Sequence, residues 1–328
     1  MVDEILKYGS VAVVGTAKNV GKTVTINWLL GELRRSGKRL GLTSVGYDGE
    51  GLDQVTETAK PEITLYEGMV FTTAEQQYAG RRLSAEILEI GERRTAVGRP
   101  VTARVKVQGK CIVSGPADTY SLRRLIERYG ELGVELTMVD GAQSRMSLAS
   151  PTVTDAMVLA TGAALSANIQ QVVMQTRYAC QLIGIGECSD DIRRAFGGYE
   201  KGVWTMSEEG EVRKSEVRTA LTGIVPEMTG VKAIYVSGAV GDRFVERLMM
   251  QRREVELVVS DFTKLFLTQA TYARLLRSKV SISVMYKSRL VAVTVNPWSP
   301  MGFTMDSGEL CERIGEATGV NVYDVMKI

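Results

Sequence analysis

The stretch VAVVGTAKNVGKTVTINWLL, Val11–Leu30, constrains the fold of this chain more than any other. Ser10–Val14 reads as a buried strand. Thr23–Ser36 reads as a helix with Ile26, Leu29, Leu30 and Leu33 on one face. Ser36-Gly37 ends that helix. Between strand and helix lies a glycine-bounded turn that carries a lysine. A buried strand feeding a helix through such a turn points to an α/β fold.

The turn GTAKNVGKT has the chemistry of a phosphate-gripping P-loop. Backbone N–H groups converge on phosphate oxygens, the helix start adds partial positive charge, and a lysine reaches the outer phosphates. A Ser or Thr hydroxyl then binds Mg²⁺. Here Gly15, Thr16, Ala17, Lys18, Asn19, Val20, Gly21, Lys22, Thr23 and Val24 are the candidate nucleotide-binding residues. Lys22 takes the catalytic lysine role and Thr23 the metal role. The spacing departs from the usual pattern, because five residues rather than four separate Gly15 from Gly21-Lys22-Thr23.

A P-loop needs an acid at a neighbouring strand end to hold Mg²⁺ or its water. VELTMVD, Val134–Asp140, reads as such a strand, with Gly141 letting backbone approach. Asp140 is the candidate, against the plain reading of an acid that starts a turn. SVGYDGEGLD offers Asp48, Glu50 and Asp53 after the second strand, Leu40–Gly46, as cation ligands or a switch segment, against the plain reading of a solvated polar loop, and Asp48 lies nearest the strand end. Asp48 joins Lys22 and Asp140 as catalytic, and Thr23 and Asp140 as metal-binding. Arg145 is a candidate for neutralising phosphate charge, against an ordinary surface arginine. Asp118 reads as a helix cap. VSGAVGDRF, Val236–Phe244, lacks the full dinucleotide-binding glycine pattern and reads as a tight strand-to-helix turn.

Along the rest of the chain short apolar runs alternate with amphipathic ones. Ile63–Thr72 holds a strand, and Thr73–Gly98 is helix-like, with a capping threonine expected in TTAEQ. Strand material flanks Gly109, and Leu122–Leu132 is a helix. Ala156–Ala160 fits a strand or a buried helix, and Ala167–Ile183 a helix. Later, KAIYVSGAVGDRFVERLM reads strand–turn–helix, VELVVSDF a strand and QATYARLLRSK a helix. VSISVMYKSRLVAVTVNP reads as a strand pair, followed by a helix over Ser307–Thr318. A length of 328 residues suits about two domains at roughly 150 residues each. The glycine- and charge-rich GECSDDIRRAFGGYEKG sets the expected boundary, giving a nucleotide-binding domain over 1–185 and a second α/β region over 202–328.

The chain has no histidine, which excludes Ser-His-Asp and Cys-His hydrolysis and histidine metal sites. Forty basic against 38 acidic residues leave a net charge of +2, so no global field attracts nucleic acid or an anionic membrane. The four cysteines form no CxxC pair and read as small buried residues in a reducing cytosol. MVDEILKYGS is too polar for a secretory signal, and no run approaches ~18 uninterrupted apolar residues. A cytoplasmic protein is expected.

GTAKNVGKT resembles the GTxxxVGKT loop of dethiobiotin synthetase and, less closely, that of the molybdopterin-guanine dinucleotide accessory NTPases. The likeness covers about the first 40 residues. It implies a P-loop NTPase with a mostly parallel, doubly wound sheet and nucleotide at the C-terminal strand edge. Some relatives carry an additional loop lysine that reaches a partner's nucleotide across a homo-oligomer. Lys18 stands one position later than theirs, and its plain reading is a solvated lysine. A ligase of the dethiobiotin synthetase type is therefore one expectation. However, TSVGYDGE lacks the lysine that family places after the second strand, Lys60-Pro61 comes later, and the chain is longer by about a domain.

Over its whole length the sequence resembles the smaller subunit of the reactivase associated with lysine 5,6-aminomutase. AKNVGKT, LTSVGYDGE, VDGAQSR, TDAMVLATGAALS and VNVYDVMKI carry this likeness. It implies an ATPase of amino-acid fermentation that works with a second ATPase subunit on a cobalamin- and pyridoxal-phosphate-dependent aminomutase. The partner surface is expected in the second half, where Tyr199, Trp204, Tyr235, Tyr272 and Trp298 lie, each also a natural core residue. ATP with Mg²⁺ is the expected cofactor, since no guanine-reading N/TKxD stands at a strand end. With no evident general base, basal hydrolysis is expected to be slow and raised by a partner. Nucleotide binding without useful turnover is the third reading.

Overall fold

A computed structural model describes residues 1–46, 62–92, 94–141, 150–199 and 201–327. The chain is α/β, and it divides into two compact units, one of residues 1–177 with 289–328 and one of residues 178–288. In chain order the first unit contains α1 (Val2–Ile5), β1 (Ser10–Gly15), α2 (Lys22–Leu33), β2 (Leu40–Ser44), β3 (Ile63–Leu65), β4 (Val70–Ala74), α3 (Glu75–Ala79), β5 (Arg82–Ile90), β6 (Pro100–Cys111), α4 (Thr119–Glu131), β7 (Leu136–Asp140) and β8 (Ala156–Gly162). Helix α5 (Ile169–Ile183) contains the division. The second unit holds α6 (Asp190–Phe196), β9 (Val203–Ser207), β10 (Val212–Lys214), β11 (Val231–Val236), β12 (Val240–Gly241), α7 (Asp242–Met250), β13 (Val255–Val259), β14 (Leu265–Phe266), α8 (Gln269–Leu275) and β15 (Val280–Val284). The chain then rejoins the first unit through β16 (Leu290–Asn296), α9 (Ser307–Thr318) and β17 (Val322–Asp324).

The first unit is built on a large, mostly parallel mixed sheet, with neighbours in the order β17-β16-β8-β1-β7-β2-β4-β6-β3 and β5 paired to β6. Pairing is parallel from β17 through β4 and antiparallel where β6 meets β3, β4 and β5. Strand β1 lies inside this sheet and is buried along its whole length, so its run of valines has apolar neighbours on both faces. Ile26, Leu29, Leu30 and Leu33 of α2 are fully buried in the same core as Val11, Val13, Leu42 and Met138. The chain leaves β1 past the β7 position to reach β2, while β8 lies on the other side of β1.

The second unit has its own sheet, ordered β10-β9-β11-β13-β15, whose β11, β13 and β15 run parallel. Tyr235 and Tyr272 are buried core residues there, and Tyr199 stacks on Trp204 at 4.0 Å. Trp298, in the first unit, is half exposed.

Three expectations from the sequence differ from this fold. The region over 202–328 is not one body, because β16 and β17 extend the first sheet by pairing with β8 and with each other. For the same reason β15 and β16 are not a pair: each lies in a different sheet. Thr73–Gly98 is helical only over Glu75–Ala79, and Arg82–Ile90 is a strand on β6. The short helix begins after Ala74 rather than a capping threonine, and Gln77 Oε1 accepts from the Ala74 N–H at 3.4 Å. Among the described residues, no helix is long and apolar enough to cross a membrane.

Candidate functional site

The turn after β1 is fixed at its start by the neighbouring strand. Thr16 N donates to Ala160 O at 2.9 Å, and its hydroxyl reaches Ala160 O at 3.3 Å and Thr161 Oγ1 at 3.2 Å. Val20 is fully buried, while Lys18 and Asn19 are exposed. The backbone then turns left-handed twice, at Asn19 with φ 59° and at Gly21 with φ 88°. Asparagine is among the few side chains that tolerate that region, and glycine enters it freely. These two bends aim the start of α2 back at the strand edge.

Gly21 is the N-cap of α2 and supplies no side chain to satisfy the helix start. The Thr25 N–H donates to Gly21 O at 2.9 Å, the first bond of the helix. The N–H groups of Gly21, Lys22, Thr23 and Val24 therefore have no acceptor within the helix. The first turn holds no acid, so the partial positive charge there is not neutralised by the helix's own residues.

Lys22 lies half-buried at the root of this helix and donates from Nζ to Ala17 O at 3.4 Å. Burial pulls its ammonium pKa below the ordinary lysine range. Asp140 opposes that shift and Lys18 adds to it. A β-carbon on Gly15 would stand 2.8 Å from Val20 Cγ2 and 2.9 Å from Lys22 Nζ, so only glycine leaves room for the lysine head. Asp140 ends β7, in register with Val13 of β1 and Ser44 of β2. Its carbonyl accepts the Ser44 hydroxyl at 3.3 Å. Gly141 N donates to Val13 O at 2.9 Å, and a β-carbon on Gly141 would lie 2.9 Å from that same oxygen.

The structure thus brings Gly15, the residues through Val24, and Asp140 to one strand edge. Asp48, Glu50, Asp53, Lys60, Pro61 and Arg145 lie outside the described residues. Asp118 caps α4 by accepting from Ser121 N at 2.8 Å. Among the described residues no three His, Cys, Asp or Glu side chains group for a metal.

Sequence reasoning missed the residues that brace the turn from β16 and β17. Asn296, 7% exposed at the end of β16, donates from Nδ2 to Asn19 O at 3.3 Å. Thr294 and Thr25 share a buried hydroxyl contact of 3.0 Å. Where Gly21 would carry a β-carbon, Asn296 Cβ lies at 3.0 Å and Val325 Cγ2 at 3.2 Å. One signal was available: Asn296 ends the apolar run LVAVTV, as Asp140 ends its own.

Compared with known proteins, the chain matches no family model, no curated protein and no solved structure.

Proposed function

We propose that this chain binds and hydrolyses ATP as a P-loop NTPase, serving as an accessory protein that reactivates a cobalamin- and pyridoxal-phosphate-dependent aminomutase together with a second ATPase subunit. One observation carries the nucleotide reading. A half-buried lysine stands at an uncapped helix start, beside an acid that ends the adjacent strand. The room left by Gly15 and the two left-handed residues make a cradle for phosphate, so the residues present fit ATP. A parallel sheet with β1 between β8 and β7 is compatible with this reading.

In this reading the amides from Ala17 to Val24 hold phosphate oxygens, and Lys22 neutralises the outer phosphates. Thr23 and Asp140 hold Mg²⁺ or its water, with Asp48 as a further oxygen donor. The metal would spread the charge that develops on the transferred phosphate. Lys18 adds attraction for anions.

The client reading rests on the sequence resemblance. Its described stretches meet at the turn: AKNVGKT forms it, TDAMVLATGAALS supplies Ala160 and Thr161, and VNVYDVMKI supplies Val325. An ATP cycle that drives cofactor exchange needs about 5.5 kcal/mol of differential affinity to move the client fully between two states.

Titration with a fluorescent ATP analogue and Mg²⁺ tests the site. Lys22→Ala is expected to weaken binding by about 10- to 100-fold, the effect of losing a charge-assisted contact. Unchanged affinity removes the P-loop assignment. Asp140→Asn is expected to slow Mg²⁺-dependent hydrolysis while ADP still binds. Turnover that rises with inactivated aminomutase and the sister subunit supports the accessory role. Turnover that rises only with a small carboxylic or amino substrate identifies a ligase instead.

A further inference from the structure

We infer that Asn296 is a positioning residue for the phosphate site, holding the turn in its binding conformation from 277 positions away in sequence. This rests on the nucleotide reading above and says which residue makes that site competent before any ligand arrives.

The turn has a conformational problem. Asn19 is one of two non-glycine residues with positive φ among those described, the other being Arg252 in the second unit. Asparagine tolerates the left-handed region better than most side chains but less freely than glycine, so a contact that holds it there favours this turn over a right-handed one. The carbonyl of Asn19 receives the side-chain amide of Asn296, which supplies that enforcement. The orientation of the amide is itself fixed, since Asn296 Oδ1 accepts from Trp298 N at 3.1 Å, leaving Nδ2 as the group that faces Asn19.

The backbone beneath Asn296 is equally constrained. It pairs with Gly162 of β8, and its carbonyl accepts from Ala163 N at 2.9 Å. Asn296 Cβ also closes the space above Gly21, the second left-handed residue. One buried side chain at a strand end therefore contacts both bends that aim the α2 amides. Without it, Asn19 can relax toward right-handed backbone, and the amides between Thr16 and Gly21 lose their common focus. The cost falls on phosphate binding, since those amides are the groups that grip it.

The test measures Mg²⁺-tripolyphosphate and Mg²⁺-ATP affinity calorimetrically for the full chain, its Asn296→Ala variant, and Asn19→Gly in both backgrounds. Tripolyphosphate has no base or sugar, so it reports on the phosphate grip alone. Asn296→Ala is expected to weaken both ligands by about tenfold, equivalent to about 1.4 kcal/mol. Asn19→Gly is expected to restore most of that loss, because glycine takes positive φ without a brace. A merely structural role for Asn296 would not be rescued by Asn19→Gly. Asn296→Ser, whose hydroxyl is too short to span to Asn19, makes the same measurement should the alanine variant not fold.

The inference is overturned if tripolyphosphate affinity is unchanged in Asn296→Ala, or if only ATP affinity falls, which makes Asn296 a contact to the nucleoside. It is also overturned if Asn19→Gly restores nothing. The reading beneath it fails separately, when the unaltered chain binds neither tripolyphosphate nor ATP.

Discussion

Helices α2 and α7 each start beyond the end of a parallel strand, and they handle that position in opposite ways. Helix α2 of the first unit follows β1 through a turn capped by Gly21, and α7 of the second unit follows β11 and β12 through Gly241. Neither cap residue offers a side chain. Yet α7 opens on Asp242, whose carboxylate accepts from Thr268 N at 2.8 Å, so its start carries an acid of its own. Helix α2 opens on Lys22, Thr23 and Val24, with no acid in its first turn. A helix start attracts negative charge by about 0.3–1 kcal/mol at an exposed position. In α7 a residue of the helix itself takes up that attraction, whereas the first turn of α2 supplies no acid of its own. On the proposed nucleotide reading, a lysine where an acid would stabilise the helix fits α2 as the binding site and α7 as scaffold.

Making α2 resemble α7 is the strongest way to break this contrast. Val24 is 40% exposed, so Val24→Asp adds an acid to the first turn without disturbing the core. Affinity for Mg²⁺-ATP is expected to fall about 100-fold, because the new carboxylate repels phosphate and competes for the amides. The ligand-free protein is expected to gain up to about 1 kcal/mol in urea unfolding, for the reason α7 profits from Asp242. An acid at Val24 that leaves ATP affinity intact would mean that nothing anionic binds there.

The contrast also shows what the sequence made legible. The α2 face of Ile26, Leu29, Leu30 and Leu33 and the strand before it were local patterns, and local patterns survive folding here. Helix α9 spans Ser307–Thr318, where its periodicity placed it. Asp140 was readable as an acid closing an apolar run, and it does lie beside Lys22. What could not be read was set by distant pairing. RLSAEILEI has residues that favour helix, but alignment along β6 makes it a half-exposed edge strand, an outcome of context rather than propensity. Gly80, closing the short α3, was the one local hint of a break. The return of β16 to β8 follows an excursion of more than a hundred residues, and parallel register leaves no turn signature. Asn296 was missed for that reason, since its role exists only once β16 is beside β8.

A smaller effect sharpens the comparison through pH. Burial lowers the Lys22 pKa in the ligand-free protein, and a bound phosphate favours the charged ammonium and raises it again. Binding therefore takes up a proton at any pH between the free and bound values. Affinity is fully present below the free-state pKa and falls as pH rises through that window. As pH rises toward the ordinary lysine range the dissociation constant is expected to increase several-fold, with proton uptake visible as buffer-dependent heat. Lys22→Arg keeps its charge throughout this range and should flatten the dependence. A slope that persists in the arginine variant would assign the proton to another group.

The smallest expected effect lies on the scaffold side. Asp242→Ala removes the acceptor for Thr268 N and the acid at the α7 start, both of which stabilise the second unit. Losing them should cost about 1 kcal/mol, seen as a lower urea midpoint for a probe within residues 178–288. Nucleotide affinity should not move, because no phosphate is expected at this helix. The two readouts separate the two uses of a helix start: at α7 a carboxylate contributes to folding alone, and at α2 it would remove binding. If Asp242→Ala instead creates a second site for tripolyphosphate, the α7 turn has the same latent grip as α2, and its own acid is what keeps it closed.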